Sequence, residues 1–265
     1  MEHVGVGGLR ICYERAGSGP AVILLHGYVG DGPATWRQQI DALSDDFTVV
    51  AWDAPGTGGS SDPPESLGMG GYADCLARFV EALGLDSVHV VGLSFGGALA
   101  LELHRRHPGL PATLVLVSAY AGWYGSLPAE VAYRRLAQAI ELADLPGDDF
   151  VAALLPTMFA AETPQETVTA FGACMKDFHP TGFRAMARAS AENLRAALPG
   201  IRVPTLLVYG ADDVRAPLAV AEDLEAAIAG SELVVLENAG HVCNIDAPDE
   251  FNRVVRGFLQ GHRTD

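Results

Sequence analysis

The sequence is poor in positive charge and in cysteine motifs. Its 265 residues include 17 Lys and Arg against 33 Asp and Glu, which gives a formal net charge of -16 at pH 7. Such a charge repels polyanions, so we expect neither a nucleic-acid partner nor binding to an anionic membrane surface. The four cysteines show no Cys-x-x-Cys spacing, which favours reduced thiols over a disulfide framework or a zinc site.

Long apolar runs and targeting segments are also absent. No stretch approaches the length needed to span a membrane, and Met1 to Gly5 do not combine a charged region with an apolar run. We therefore expect no membrane span, no signal peptide and a cytoplasmic location. Hydrophobic residues make up 49% and charged residues 19%, as is typical of a globular protein, and the length fits one large α/β domain with an insertion. The sequence leaves open whether the protein is a monomer or a homodimer.

A nucleotide-binding motif is lacking too, although the sequence has one tight glycine loop. Residues 54–60 read Ala-Pro-Gly-Thr-Gly-Gly-Ser and follow an apolar strand pattern. A phosphate-binding loop ends in Gly-Lys-Ser/Thr, and a dinucleotide site opens a helix with Gly-x-Gly-x-x-Gly. Neither pattern occurs at this loop, and we expect no cofactor and no metal.

The sequence does contain a buried strand pattern that stops at a serine and continues as a helix pattern. Residues 88–93 are mostly apolar, Ser94 follows, and residues 98–103 are typical helix formers. Gly92 and Gly96 lie two residues on either side of the serine, which lets strand and helix pass close together. Such a nucleophile elbow presents a hydroxyl in front of a helix N-terminus, where developing negative charge is favoured. Ser94 is therefore the candidate nucleophile.

A nucleophilic serine needs a base to take its proton, and that base needs a group that fixes its tautomer. Two later strand patterns end beside such residues. Asp212 and Asp213 follow residues 203–209, and His241 follows residues 232–236. The chain order of serine, acid and histidine is one of those found in catalytic triads.

The strand pattern is interrupted in the middle of the chain. Residues 119–199 contain four helical runs and no strand pattern, whereas apolar strand patterns precede and follow them. We interpret this region as a helical cap inserted after the sixth strand into a core domain of residues 1–118 and 200–265. The predicted helices of the cap are residues 128–143, 148–160, 164–177 and 181–197.

Over nearly its whole length the chain resembles the α/β-hydrolase superfamily. The resemblance rests on five motifs in the family's order: His26-Gly27, Asp53-x-x-Gly56-x-Gly58-x-Ser60, Gly92-x-Ser94-x-Gly96, Gly210-x-x-Asp213-x-x-x-Pro217 and Gly240-His241. It implies an α/β fold with a mostly parallel, eight-stranded sheet, helices on both faces and an inserted all-helical cap.

The resemblance also implies a role for each candidate residue. Ser94 is the expected nucleophile, His241 the base and Asp213 the acid. Asp213 is preferred to Asp212 because the acid of the family follows the glycine, here Gly210, by three residues.

The same resemblance implies an oxyanion hole made of two backbone N–H groups. One belongs to Phe95, directly after the nucleophile, and the other to Tyr28, after His26-Gly27, with Val29 as the alternative. We expect His26 to tie its loop down by hydrogen bonds rather than to act in catalysis.

Within the superfamily, the chain looks most like the enol-lactonase and cofactor-free haloperoxidase/esterase relatives. This implies a serine hydrolase that acts on a carboxylic ester or lactone, with a small molecule as its partner. Two alternatives stay open. One is a hydrolase of carbon–carbon bonds in ring-fission products, which uses the same triad, and the other is a small-molecule receptor or regulator that keeps the triad and turns over slowly.

The cap carries more apolar residues than four amphipathic helices need in order to pack. We expect some of them to pack on one another and others to face a largely apolar pocket above the nucleophile. The candidate pocket residues are Val29, Trp123, Met158, Phe159, Cys174, Phe178 and Val242. The net charge opposes anionic substrates unless basic residues counter it locally, and the cap's obvious candidates are Lys176, Arg184 and Arg188. A neutral, apolar substrate of small to medium size is therefore expected.

Overall fold

Eight strands form one sheet in the computed structural model, which describes residues 1–262. The strands are β1 (Glu2–Val6), β2 (Leu9–Ala16), β3 (Ala21–Leu25), β4 (Thr48–Trp52), β5 (Val88–Leu93), β6 (Pro111–Val117), β7 (Thr205–Gly210) and β8 (Glu232–Leu236). Their spatial order is β1-β2-β4-β3-β5-β6-β7-β8. β1 and β2 form an antiparallel hairpin at one edge, β2 runs antiparallel to β4, and the pairings from β4 onwards are parallel. The predicted mostly parallel, eight-stranded sheet is confirmed.

Helices cover both faces of this sheet. Every residue of β3, β4, β5 and β7 is buried, which explains why these strands are continuous apolar runs rather than alternating ones. The helices are α1 (Gly32–Leu43), α2 (Gly68–Ala82), α3 (Phe95–Arg106), α4 (Trp123–Ser126), α5 (Ala129–Leu142), α6 (Gly147–Leu154), α7 (Gln165–Lys176), α8 (Pro180–Ala191), α9 (Leu218–Ala227), α10 (Cys243–Asp246) and α11 (Pro248–Gly261). Within residues 1–262, none of them is both long and apolar enough to cross a membrane.

The helix α11 shows how the sequence pattern produces this layer. Phe251, Val255 and Leu259 recur every four residues and are fully buried, so they form the apolar stripe that packs towards the core beside α1. At the N-terminus of α1, the side chain of Asp31 caps the helix by accepting the Ala34 N–H at 2.8 Å.

Between β6 and β7 the described chain forms α4–α8, which we call the cap helices, and no strand. Two of them end earlier than the sequence predicts. After Leu154 the helix α6 gives way to a 3-10 turn, Leu155–Thr157, because Pro156 has no N–H with which to continue the helical ladder. The helix α8 stops at Ala191, and the next residue, Glu192, accepts the Met69 N–H at 2.7 Å. The short helix α4 has no counterpart in the prediction, and the division into a core and a cap at residues 119 and 199 stays a prediction.

The cap helices touch the core directly over the end of a strand. Gly56 follows β4, and a Cβ atom on Gly182 of α8 would lie 2.0 Å from the Gly56 carbonyl oxygen. Only glycine allows so close a backbone approach. Since the parallel strands all end at this edge of the sheet, the cap lies on the side where the candidate catalytic residues follow their strands.

Candidate active site

Ser94 lies between β5 and α3 in a backbone conformation that non-glycine residues rarely adopt. Its φ is 53° and its ψ is -107°, outside the regions that are favourable for a residue with a Cβ atom. Two hydrogen bonds fix the turn: Ser94 N–H donates to the Val117 carbonyl at 2.8 Å, and Ala98 N–H donates to the Ser94 carbonyl at 3.1 Å. The turn is therefore held from the neighbouring strand and from the helix it opens.

The two glycines of the elbow are required by close backbone contacts. A Cβ atom on Gly92 would lie 2.2 Å from the Gly96 carbonyl oxygen, and one on Gly96 would lie 2.3 Å from the Leu25 carbonyl oxygen. These distances are far below a van der Waals contact, so neither position accepts a side chain without a backbone shift.

His241 and Asp213 form a buried hydrogen-bonded pair at the ends of β8 and β7. The His241 Nδ1 lies 2.9 Å from Asp213 Oδ2, and the two residues are 3% and 5% exposed. The other carboxylate oxygen, Oδ1, accepts the backbone N–H groups of Arg215 and Ala216, both at 2.8 Å. Asp212, by contrast, is exposed. The pair leaves Nε2 of His241 as the ring nitrogen that can act as a base.

The environment of this pair sets its charge state. Burial alone would raise the pKa of Asp213, but His241 and the two N–H donors hold that pKa below its ordinary value. Burial lowers the pKa of His241, Asp213 opposes this shift, and the cations Arg215 and Arg135 add to it. The result is an ionised carboxylate beside a neutral imidazole, which is the resting state that a general base needs.

Ser94 and His241 line the same small cavity under the cap. The cavity has a volume of about 10 Å³ and is lined by Gly27, Tyr28, Val29, Leu93, Ser94, Met158, Phe171, His241 and Val242. Within the described residues, the structure gives no hydrogen bond between Ser94 Oγ and His241 Nε2; catalytic hydrogen bonds of this kind are often long before substrate binds. The cavity is about the size of one water molecule, so the cap closes tightly over the serine.

The loop after β3 places Tyr28 against this cavity. Among the hydrogen bonds of residues 1–262, none uses the Tyr28 backbone N–H, and Phe95 opens α3, where the first N–H groups of a helix have no intrahelical acceptor. His26 anchors the loop: its Nε2 accepts the Ala54 N–H at 3.0 Å, so its Nδ1 carries the proton that it donates to the Gly27 carbonyl at 2.6 Å. This agrees with the expectation that His26 ties the loop down.

Comparison with known proteins gives the family. A sequence profile described as the alpha/beta hydrolase family matches residues 22–254. The chain belongs to this family. It is 33% identical over 255 residues to a protein of Agrobacterium fabrum named carbamate hydrolase RutD, a match that covers 93% of this chain and 96% of that protein.

Solved structures of similar proteins agree with this alpha/beta hydrolase fold. A thermophilic esterase from Thermogutta terrifontis superposes with a TM-score of 0.92 at 26% identity over 100% of both chains. An enol-lactonase from Burkholderia xenovorans LB400 superposes with a TM-score of 0.89 at 26% identity, over 98% of this chain and 100% of that one. The predicted superfamily and its resemblance to an enol-lactonase and to esterases are confirmed, and the protein is a hydrolase of this fold.

The predicted pocket residues of this hydrolase divide into three groups. Val29, Met158 and Val242 line the cavity at Ser94. Cys174 and Phe178 line a second, larger cavity of about 180 Å³, which shares Tyr28 and Val29 with the first. Trp123 and Phe159 line neither of these two cavities. Trp123 packs edge-on against Tyr28 with ring centres 5.8 Å apart, and Phe159 packs edge-on against Phe171 at 5.5 Å.

The three basic residues predicted as candidates for binding an anion are already paired with acidic residues. Lys176 lies 2.9 Å from Asp148. Arg184 lies 2.8 Å from Glu65 and 3.1 Å from Asp144, and Arg188 lies 3.6 Å from Glu65. None of these three bases lines the cavity at Ser94.

The glycine loop after β4 is held in place by the carboxylate of Asp53. Asp53 points its carboxylate at backbone N–H groups, with Oδ1 accepting from Gly32 at 3.1 Å and Oδ2 from Gly59 at 2.9 Å. Burial raises the pKa of Asp53 to about 6. Within residues 1–262, no cluster of three or more His, Cys, Asp or Glu side chains is arranged to hold a metal ion.

Three residues beside the site were not among the predicted ones. Leu93 and Phe171 line the cavity at Ser94, and Arg215 donates from its guanidinium to the Tyr28 hydroxyl. Leu93 directly precedes the nucleophile, and Phe171 lies three residues before Cys174 on the same helix, so their spacing could have indicated them. Nothing in the sequence pattern indicates the direction of the Arg215 side chain.

Proposed function

We propose that this hydrolase cleaves a carboxylic ester or lactone of a small-to-medium, neutral, apolar substrate through an acyl-enzyme on Ser94. The observation that carries the proposal is that Ser94, on a strained elbow turn, lines one cavity with His241, whose ring is hydrogen-bonded to Asp213 behind it. A hydroxyl, a neutral imidazole and a buried carboxylate in this arrangement are the groups that acyl transfer requires.

In the proposed reaction each group has a step. His241 Nε2 takes the proton of Ser94 as Oγ attacks the carbonyl carbon, and the carbonyl oxygen becomes an oxyanion that the N–H groups of Tyr28 and Phe95 stabilise. The carbon–oxygen bond to the alcohol then breaks, and the imidazolium returns the proton to the leaving alcohol. Water, deprotonated by the same imidazole, attacks the acyl-enzyme and releases the acid and free Ser94.

The lining of the cavity supports a neutral, apolar substrate. Apart from the catalytic pair and Tyr28, the side chains around Ser94 are apolar: Val29, Leu93, Met158, Phe171 and Val242. Such a lining gives a carboxylate substituent no hydrogen-bond donor or counter-charge, and burying a charge without a partner is costly. The paired state of Lys176, Arg184 and Arg188 removes the cap's obvious candidates for an anion site. The similarity to an esterase and an enol-lactonase supports the ester and lactone class.

The nucleophile is tested by intact-mass measurement after treatment with a fluorophosphonate. We expect one adduct on Ser94 in the wild-type protein, none in Ser94→Ala, and at least about a 10⁴-fold loss of ester turnover in that variant. Ser118→Ala is the matched control, because Ser118 is also buried at a strand end with a positive φ but does not line the cavity. An adduct elsewhere, or unchanged turnover in Ser94→Ala, refutes the assignment.

The substrate class is tested by kcat/KM for a neutral lactone, a carboxylated enol-lactone of similar size, a neutral ester and a carbamate. We expect the neutral ester and lactone to react fastest. A strong preference for the carboxylated lactone that is lost on replacing Lys176, Arg184 or Arg188 would overturn the neutral-substrate proposal. If Ser94 is labelled but only a carbon–carbon ring-fission product is turned over, the protein is a carbon–carbon bond hydrolase. If Ser94 is labelled but hydrolysis does not exceed one turnover per molecule, the result favours a slow-turnover receptor or regulator.

A further inference from the structure

The turn that carries Asp213 also carries a second charged residue with contacts in three parts of the site. The backbone N–H of Arg215 donates to Asp213 Oδ1 at 2.8 Å. Its guanidinium donates through Nη1 to the Thr157 hydroxyl of the cap region at 2.9 Å and through Nη2 to the Tyr28 hydroxyl. Arg215 thus joins the turn of the acid, the loop after β3 and the cap.

Arg215 is itself held in place. Its carbonyl oxygen accepts the Tyr120 hydroxyl and, at 3.0 Å, the Nη2 of Arg135. Arg135 also donates to the Tyr120 hydroxyl at 2.8 Å. Both side-chain acceptors of Arg215 are neutral hydroxyls, and among residues 1–262 it forms no ion pair, so neutralisation of a carboxylate does not explain its presence.

The contact at Tyr28 matters because of where that residue lies. Its side chain lines the cavity at Ser94, and its backbone N–H is the proposed oxyanion donor. The ring is otherwise packed between two cap aromatics, stacked on Phe183 with centres 5.1 Å apart and edge-on to Trp123 at 5.8 Å. Aromatic packing tolerates sliding, whereas a charge-assisted hydrogen bond at the hydroxyl fixes where the ring lies in its own plane.

We propose that Arg215 is a positioning residue for the oxyanion hole, holding Tyr28 through its hydroxyl while its own backbone holds the carboxylate of Asp213. The inference rests on the proposed acyl-transfer function. An oxyanion donor acts only when it lies about 2.7–3.1 Å from the developing charge. A small displacement of Tyr28 therefore reduces the stabilisation of the transition state more than it reduces the affinity for substrate.

The test is a double-mutant cycle between Tyr28→Phe and Arg215→Gln. Tyr28→Phe removes only the hydroxyl and keeps the ring and the backbone N–H. Arg215→Lys keeps the positive charge but cannot reach two hydroxyls with a rigid fork. Arg195→Gln is the control, because Arg195 also links the cap region to the core, through Asp223, but contacts neither Arg215 nor Tyr28.

If Arg215 acts through Tyr28, each single variant lowers kcat by about 10- to 100-fold with little change in KM. The double variant is then no slower than the slower single variant, because both remove the same link. Arg215→Lys recovers part of kcat. Arg195→Gln combined with Tyr28→Phe gives losses, if any, that multiply.

The pH profile separates the positioning role from the charge of Arg215. The charged groups that act on His241 are Asp213, Arg215 and Arg135. Loss of either arginine therefore raises the pH midpoint of the acidic limb of kcat/KM, whereas Tyr28→Phe leaves this midpoint unchanged while it lowers kcat.

Several results would overturn the inference. Multiplicative losses in the cycle would mean that Arg215 and Tyr28 act independently, and an unaffected kcat in Tyr28→Phe would mean that the hydroxyl contact has no role in turnover. If Arg215→Gln does not fold, the same cycle with Arg215→Lys decides the question. If fluorophosphonate does not label Ser94 in the wild-type protein, the proposed function and this inference are both overturned. If Ser94 is labelled but the losses of kcat in the cycle multiply, only the inference is overturned.

Discussion

Backbone strain at the nucleophile predicts that replacing Ser94 by glycine gives a more stable protein than replacing it by alanine. At φ 53° and ψ -107°, a residue with a Cβ atom pays about 1–3 kcal/mol that glycine does not. The added chain entropy of glycine in the unfolded state offsets about 0.5–1 kcal/mol of this gain. Among the described residues the Ser94 side chain forms no hydrogen bond that either variant would lose. The difference in stability between the two variants therefore reports on the backbone conformation alone.

The net effect on the free energy of unfolding is at most about 2.5 kcal/mol, and about 1 kcal/mol at the middle of both ranges, in favour of Ser94→Gly over Ser94→Ala. For a domain of this size, each kcal/mol corresponds to about 2–4 °C in Tm. Calorimetry and urea denaturation of the two inactive variants measure the difference directly. Asn238→Gly is the control, because Asn238 also has a positive φ of 54° but lies exposed in a turn, and asparagine tolerates that conformation well. A Ser94→Gly variant that is less stable than Ser94→Ala would mean that the turn stores less strain than the chain entropy of glycine offsets.

The remaining predictions concern the acid and the base. Asp213→Asn lowers turnover by about 10⁴-fold, whereas Asp212→Asn has little effect because Asp212 is exposed; the reverse order would show that the motif spacing names the wrong carboxylate. Because burial lowers the pKa of His241, the acidic limb of kcat/KM has its midpoint below pH 6.5, and activity is lost as pH falls through that midpoint. A midpoint above pH 7 would contradict a neutral resting imidazole.

The fold and the arrangement of the catalytic residues could be predicted because both depend on where strands end. Apolar runs without alternation indicated strands buried on two faces, and the carboxyl ends of parallel strands lie at one edge of the sheet. Ser94 directly follows β5, and Asp213 and His241 lie a few residues after the ends of β7 and β8. Their meeting therefore follows from topology, without knowledge of any side-chain contact.

The cap residues that line the cavity at Ser94 could be predicted only in part. Helical spacing identifies the apolar face of a helix, but it does not say whether that face contacts another helix or the cavity. Phe159 and Phe171 are both apolar cap residues packed on each other at 5.5 Å, yet only Phe171 lines the cavity at Ser94. Phe159 lies beyond the turn at Pro156, which follows the end of α6 at Leu154. A sequence pattern that extends this helix to residue 160 therefore places Phe159 on the wrong face.

The basic residue nearest to the candidate site lies in the turn after β7, not in the cap where the sequence analysis placed it. Lys176, Arg184 and Arg188 were chosen because they lie in the cap, but surface acids neutralise them there. The charge that acts on His241 comes from Arg215, two residues after the acid itself. Within that turn the backbone N–H of Arg215 binds the carboxylate and its guanidinium binds Tyr28. A single tight turn therefore connects Asp213, the proposed acid, to Tyr28, the proposed oxyanion donor, and a change in the conformation of this turn alters the positions of both at once.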